Sequence, residues 1–495
     1  MAGATAPLIL VLDAGTTSTR ALLFGLDGQI HACAQQSIQS DHPQPGWVEQ
    51  DATAIWSSTL ASAREVMNSS GAAGRIAAIG ITNQRETVVA WDCQTGEPLA
   101  PAIIWQDRRT GSLCNEFKQR GLENAVTEAT GLLLDPYFSA TKIRWLLDHA
   151  EAVKEAGNRL MVGTVDSWLL FKLADGVHLT DASNASRTLL MRLDNGQWDE
   201  ALCGLFGVPL NCLPTIGDSA GSLAAASADL LGRSVPVCAM IGDQQSATIG
   251  QGCLSLGQTK VTFGTGAFAL TNAGPHPPIS GNRLLSTLLI QINGNRTYAL
   301  EGSLFVAGSM VQWLRDQLGI IGTAAETEAL ARSVPDSGGV SIIPAFCGLG
   351  APHWRADITA SIHGLTLGTG RGEIVRAALE ALVNQIVDLA DAFAADGVAW
   401  TGLRADGGMI ANDWLAQDLA DMLGLGVERP LNVESTARGA AMLAAVGAGF
   451  FPSLEEACHA MLPPVTRFDP RLQADARERR LDRWHRELAS VLARP

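Results

Sequence analysis

Two short glycine-threonine turns constrain this chain more than any other feature: Leu12-Asp13-Ala14-Gly15-Thr16-Thr17-Ser18-Thr19-Arg20 near its start and Thr262-Phe263-Gly264-Thr265-Gly266-Ala267 past its middle. Each is set between apolar β-forming runs, and the first joins the run at 8–12 to the run at 21–24, with an Asp27-Gly28 hairpin signal beyond it. Glycine lets a backbone approach an anion, while Thr and Ser hydroxyls and consecutive backbone N–H groups donate to phosphate oxygens. Together the turns read as two halves of one phosphate clamp; either alone reads equally as an ordinary hairpin. A P-loop is excluded. None of the five lysines, Lys118, Lys142, Lys154, Lys172 and Lys260, follows a glycine.

Strand-like and helix-like segments alternate along all 495 residues, the pattern of an α/β protein. Length alone allows two or three domains. The second turn should open a new domain as the first opens the chain, so the expected division is 1–250 and 251–495. The charge is −15, from 35 basic and 50 acidic side chains spread along the sequence, which argues against a nucleic-acid or anionic-membrane partner. Nine scattered cysteines without a C-x-x-C read as reduced thiols in a cytoplasmic protein. The start lacks a basic segment and its apolar run stops at Asp13, so neither a secretory signal nor a membrane span is expected. Nine dispersed histidines show no zinc-ligand spacing.

Strands are expected at 76–82 and 102–105, with polar residues waiting at their carboxyl ends, where α/β proteins place ligands. Past the first, Arg85 and Glu86 set fixed donors beside fixed acceptors, which suits a row of hydroxyls; a surface ion pair is the alternative. Trp105 and Tyr137 offer aromatic faces for a ligand with a C–H side. Asp243, between Gly242 and Gln244-Gln245, is the strongest candidate for catalysis, since a carboxylate can accept a hydroxyl proton during phosphoryl transfer; its alternative is a helix cap. Asp406-Gly407-Gly408 through Asn412 would let a planar base lie against backbone. Gly264-Thr265-Gly266-Ala267-Phe268-Ala269 fits a dinucleotide pattern, but strand rather than helix should follow it. Apolar spacing predicts a core helix at 373–393 and a docked tail helix bearing Leu481, Trp484, Leu488 and Val491.

In order along the chain, the segments at 13–20, 43–51, 80–86, 105–110, 135–139, 163–168, 184–189, 242–245, 262–268 and 361–380 resemble the FGGY carbohydrate kinases, within the actin, hexokinase and heat-shock-chaperone ATPase superfamily, and in particular those acting on glycerol. That resemblance implies an α/β protein of two ribonuclease-H-like domains flanking a catalytic cleft that closes over its ligands. It implies ATP-dependent phosphorylation of glycerol to sn-glycerol 3-phosphate, with Mg²⁺, by a cytoplasmic homo-oligomer (dimer or tetramer) in glycerol catabolism. By the same resemblance Arg85, Glu86, Tyr137, Asp243 and Gln244 would bind the hydroxyls, Trp105 and Phe268 would pack the carbon side, and Asp243 would be the base. Thr16, Thr17, Ser18, Arg20 and Thr265 would hold phosphates, and Asp13 and Asp243 hydrated magnesium. Gly308, Gln312, Gly408 and Asn412 would line the nucleotide site. The loop Leu231-Gly232-Arg233-Ser234 departs from the Gly-Gly-Thr-Arg that binds fructose 1,6-bisphosphate in some members. Two rivals remain at this stage: a kinase for another polyol or ketose, and a chaperone-like ATPase.

Overall fold

A computed structural model describes residues 6–355, 357–432 and 434–493. Both glycine-threonine turns are hairpins, and each opens the same arrangement of strands. In the first half β1 (Leu8–Ala14), β2 (Ser18–Gly25) and β3 (Ile30–Ser37) form an antiparallel meander. β4 (Ile76–Asn83) then lies parallel to β1, β5 (Ala220–Ala226) is an antiparallel neighbour, and β6 (Val235–Gly242) lies parallel to β4. In the second half β7 (Gln258–Phe263), β8 (Ala267–Gly274), β9 (Leu285–Ile292) and β10 (Asn295–Leu304) run antiparallel to their neighbours; β11 (Gly402–Asp406) and β12 (Val427–Pro430) follow parallel to β7, with β13 (Val465–Phe468) at the edge. The order β3-β2-β1-β4-β6 is thus repeated as β10-β8-β7-β11-β12, the repeat that two ribonuclease-H-like units require. One pair, Ala220 with Ile292, joins the halves into a 13-stranded sheet.

All seven residues of β1 are buried, as expected for a near-continuous apolar strand covered on both faces. The second expected strand is shorter than the sequence suggested: only Ala102–Ile103 pairs. Beyond it the Asp107 carboxylate accepts from the Val48 nitrogen (2.6 Å) and bends the chain into a loop that carries Trp105.

α1 (Asp243–Gly250) continues directly from β6, and α2 (Gly308–Asp316) follows β10. α3 (Arg371–Ala395) is the expected core helix, burying Val375, Leu379, Leu382, Ile386, Leu389 and Phe393. α4 (Ser435–Gly447) comes from the second half yet packs its alanines, Ala437, Ala440, Ala441 and Ala444, on Ile9, Val11, Ala78 and Ile241 of the first. The tail helix α5 (Ala474–Leu492) docks as expected: Trp484, Leu488 and Val491 are buried, and the Trp484 indole donates to Asp388 (2.7 Å). The nine cysteines are unpaired, and no helix among the described residues is long and apolar enough to cross a membrane.

α1 and α4 cross at van der Waals distance because glycine stands at the contact on both. A Cβ on Gly250 would lie 2.7 Å from the Gly439 nitrogen, and one on Gly439 would lie 2.7 Å from the Ser246 carbonyl carbon and 2.9 Å from its Oγ. Backbone cannot yield as a side-chain tip does, so Gly439→Ala should destabilise the protein by about 1–3 kcal/mol. Gly204→Ala, at an exposed helix position with open space around it, should instead be neutral or stabilising by up to about 1 kcal/mol. Urea unfolding of the two variants checks this, and equal midpoints would show that the crossing tolerates a methyl group.

Candidate active site

Strand register builds the site. Asp13 of β1 and Ile241 of β6 both pair with Thr82 of β4, so the carboxyl ends of three parallel strands finish level. At about 4.8 Å between neighbours, Asp13 and the start of α1 stand roughly 10 Å apart, with Gln84-Arg85-Glu86 emerging between them. Glu86 adopts a left-handed backbone (φ 61°), rare for a side-chain-bearing residue, and the Thr87 nitrogen donates to the Arg85 carbonyl (2.8 Å). This tight turn aims Arg85 and Glu86 into the protein, where they are 3% and 1% exposed, so they are not a surface pair.

Nor do they chiefly pair with each other. Arg85 Nε is 4.0 Å from Glu86, whereas Arg85 Nη1 donates to Glu301 Oε2 (2.6 Å) and Arg187 Nε donates to Glu86 Oε1 (2.6 Å). Arg187 Nη2 completes the circuit at Glu301 Oε1 (3.0 Å). Burial works to raise the Glu301 carboxyl, but Arg187 and Arg85 beside it hold it at about 2. Gly242 makes room for this arrangement, since a Cβ there would stand 2.8 Å from Arg85 Cγ.

Asp243 is the first residue of α1, and Gly242 rather than the aspartate stands at the N-cap position. Its Oδ1 accepts from the Gln244 nitrogen (2.7 Å) and lies 3.4 Å from Arg85 Nε, while the side chain keeps 30% of its surface open to the cleft. Burial raises its pKa to about 6, with Arg85 pulling down and Glu86 pushing up. The amide oxygen of Gln244 accepts from Lys260 Nζ (2.6 Å), a buried amine of the second half. Tyr137 packs edge-on to Trp105 (5.8 Å between ring centroids), and the Trp105 indole donates to Thr16 Oγ1 (2.9 Å), tying the aromatic wall to the first turn. Phe268 pairs with Thr262 and Ser303, and Leu270 with Lys260 and Glu301; directly opposed residues share a sheet face, so Phe268 lies on the face that sends Lys260 and Glu301 into the site.

On the phosphate side Thr17 and Thr265 are exposed at the two turn tips. The Gly15 nitrogen donates to the Ser18 carbonyl (3.0 Å), and the Ser18 hydroxyl accepts from Gln35 (3.0 Å). Arg20 is held by two carboxylates, Asp13 of its own hairpin and Glu434 (2.7 Å) at the start of α4. Burial raises the Asp13 pKa against the pull of Arg20. The second turn is clasped by α2: Ala307 and Gly308 nitrogens donate to Thr265 and Gly264 carbonyls (2.8 and 2.9 Å), an approach that only glycine at 308 permits. Gln312 is exposed on α2, and Gly408 faces open space. Asn412 is engaged at both ends of its amide: its oxygen caps the helix Asp413–Leu423 by accepting from Leu415 (3.0 Å), and its nitrogen donates to Thr327 (3.1 Å).

Arg187, Glu301 and Lys260 are absent from the sequence expectations. Glu301 carries one signal, a lone charge after an apolar run, Tyr298-Ala299-Leu300-Glu301, which is costly unless paired; Arg187, between Ser186 and Thr188, and Lys260, after Thr259, carry none.

Comparison with known proteins agrees with this geometry. The profile of the FGGY family of carbohydrate kinases, N-terminal domain, matches residues 8–250, and that of the C-terminal domain matches 259–448. A glycerol kinase of Methylobacterium nodulans is 49% identical over 498 aligned residues, covering 99% of each chain. A crystal structure of Plasmodium falciparum glycerol kinase with ADP superposes with a TM-score of 0.94 at 33% identity, covering 99% of each chain. A gluconate kinase from Lactobacillus acidophilus superposes at 0.90 with 20% identity over 99% of each chain, a likeness of fold alone. Matched in both domains and along its whole length, the chain belongs to the FGGY family of carbohydrate kinases.

Proposed function

We propose that this enzyme transfers the γ-phosphoryl group of ATP to a terminal hydroxyl of glycerol, with Asp243 as general base. The observation that carries the reading is Asp243 itself, a carboxylate raised to about 6 at the cleft floor and 3.4 Å from Arg85. The fold does not choose the substrate, because a gluconate kinase shares it. The pocket lining supports a polyol: Arg85 would donate to a hydroxyl, Glu86 would accept through the oxygen that Arg187 leaves free, and Tyr137 and Gln244 would serve the others. Trp105 and Phe268 would cover the carbon backbone. Such a wall suits a short polyol and has no purpose in a chaperone-like ATPase.

In the reaction the hydroxyl oxygen attacks the γ-phosphorus as its proton passes to the free oxygen of Asp243, and the bond from phosphorus to the ADP oxygen breaks. Thr16, Thr17, Ser18 and Thr265 would donate to the phosphates from the two turns, and Arg20, once turned from Glu434, would add its charge. Gly408 offers the adenine an open backbone surface beside Gln312, while Asn412 would act by holding the helix that backs it. The carboxylates of Asp13 and Asp243 fit Mg²⁺, which binds through one or two carboxylates, water and phosphate oxygens; no group of three metal-ligating side chains occurs among the described residues. Bound there, the ion would neutralise charge on the phosphates. The division of roles between 1–250 and 251–495, and a homo-oligomeric assembly in the cytoplasm, belong to the same proposal. The assembly rests on family resemblance, and sedimentation of the purified protein as a monomer would remove it.

Asp243→Asn should lower kcat by about 10²- to 10⁴-fold with nucleotide affinity nearly unchanged. Because the base must be ionised and its pKa is raised, wild-type kcat/KM for glycerol should be flat near neutrality and fall as pH drops through about 6. A variant within threefold of wild type would remove Asp243 from the role. Across glycerol, dihydroxyacetone, xylulose, ribulose and gluconate with ATP and Mg²⁺, glycerol should give the highest kcat/KM, and ATP turnover should be slow without a polyol. Turnover indifferent to glycerol would favour the chaperone-like ATPase.

A further inference from the structure

The glycerol pocket is set by residues of the first half, yet its charge balance depends on the second. Arg85, Arg187 and Lys260 stand against Glu86, Glu301 and Asp243, three charges of each sign at one place. Five of the six are at most 3% exposed, and Asp243 alone opens to the cleft. Glu301 is the member that reaches furthest. It stands in β10, 216 positions from Arg85 in sequence, and gives one carboxylate oxygen to each arginine, 2.6 Å to Arg85 and 3.0 Å to Arg187. Arg187 is fully buried, its Nε goes to Glu86 and its Nη2 to Glu301, and its Nη1 has no partner. The two arginines and two glutamates therefore form a hydrogen-bonded chain, Arg85 to Glu301 to Arg187 to Glu86, whose two ends stand 4.0 Å apart. Removing one acid from such a set leaves a buried guanidinium half-paired, free to turn toward Asp243 or Glu86.

We infer that Glu301 is a positioning residue through which the second half of the chain fixes Arg85 for polyol binding, with Arg187 as the bridge that holds Glu86 in the same frame. Neither Glu301 nor Arg187 need touch the polyol. Glu301 keeps Arg85 Nη1 occupied, which leaves the remaining guanidinium N–H groups, the ones on the Asp243 side, to face a hydroxyl. Closure of the two halves then carries recognition with it: moving β10 moves the partner of the polyol-binding arginine. The inference rests on the glycerol reading of the pocket.

The test is a double-mutant cycle between Glu301→Gln, which keeps shape and removes charge, and Arg85→Ala, read as KM for glycerol, KM for ATP and glycerol-free ATP hydrolysis. Glu301→Gln should raise the glycerol KM at least 20-fold, leave the ATP KM within about threefold and leave glycerol-free hydrolysis unchanged. In the Arg85→Ala background it should add less than threefold, because the group it acts through is gone. Glu301→Asp, which retains the charge, should recover most of the lost affinity and serves as the reporter if Glu301→Gln does not fold, with a glycerol KM raised severalfold and an unchanged ATP KM. Multiplicative effects in the cycle, or glycerol and ATP KM rising together in Glu301→Gln or Glu301→Asp, would overturn the positioning role. Failure of the glycerol reading shows separately, as a wild-type preference for another polyol; the cycle is then read with that polyol.

Discussion

The crossing of α1 and α4 is the contact on which the rest of the molecule depends. Each helix begins at the cleft floor, α1 with Asp243 and α4 with Ser435 just after Glu434, so the crossing sets where Asp243 and the Arg20 clamp stand relative to each other. Asp406, at the end of β11, ties the same point by accepting from Gln251 and Ser435 (2.6 Å each), and the Ser246 hydroxyl donates to the Thr436 carbonyl (2.6 Å). Only backbone and small side chains meet there. A contact of that kind permits small rotations without opening a cavity, which is what a hinge between two halves requires.

Around that hinge the two halves exchange charged side chains as well as the apolar contacts of α4. Lys260 and Glu301 leave the second sheet to enter the first half's pocket, and Glu434 leaves the start of α4 to hold Arg20. Buried ions of this density contribute little net stability, because desolvation offsets their attraction. What they supply is geometry. Each has few acceptable positions, and a polyol with several hydroxyls discriminates among positions of a few tenths of an ångström. Two apolar clusters each stabilise one half, a third joins the halves through α4, and the ions define the site between them.

The two turns, the meander strands and the long helix were legible because their signals are local: a glycine where backbone must approach closely, apolar flanks, and apolar residues at three- and four-residue spacing. Asp243 was legible for the same reason, as a lone carboxylate at a strand-to-helix junction. Arg85 and Glu86 were legible as donors beside acceptors on one loop, but their partners were not, since adjacency does not make two side chains a pair. Glu86's partner is 101 positions away and Arg85's is 216. No spacing rule reaches that far, and only the antiparallel register of β8 and β10 brings Glu301 there. Asn412, which the resemblance places at the nucleotide site, has its amide oxygen engaged as the cap of the helix that follows.

The central claim is that two halves with one site between them close about the crossing when both substrates are bound, glycerol engaging Arg85, Glu86 and Asp243 from one side and Phe268 from the other. Small-angle scattering with ATP alone and with ATP plus glycerol, with the Asp243→Asn variant used to slow turnover, measures this directly. The account predicts a smaller radius of gyration when both ligands are present than with ATP alone. Superimposable scattering profiles, together with rapid ATP hydrolysis by the wild-type enzyme in the absence of glycerol, would contradict it.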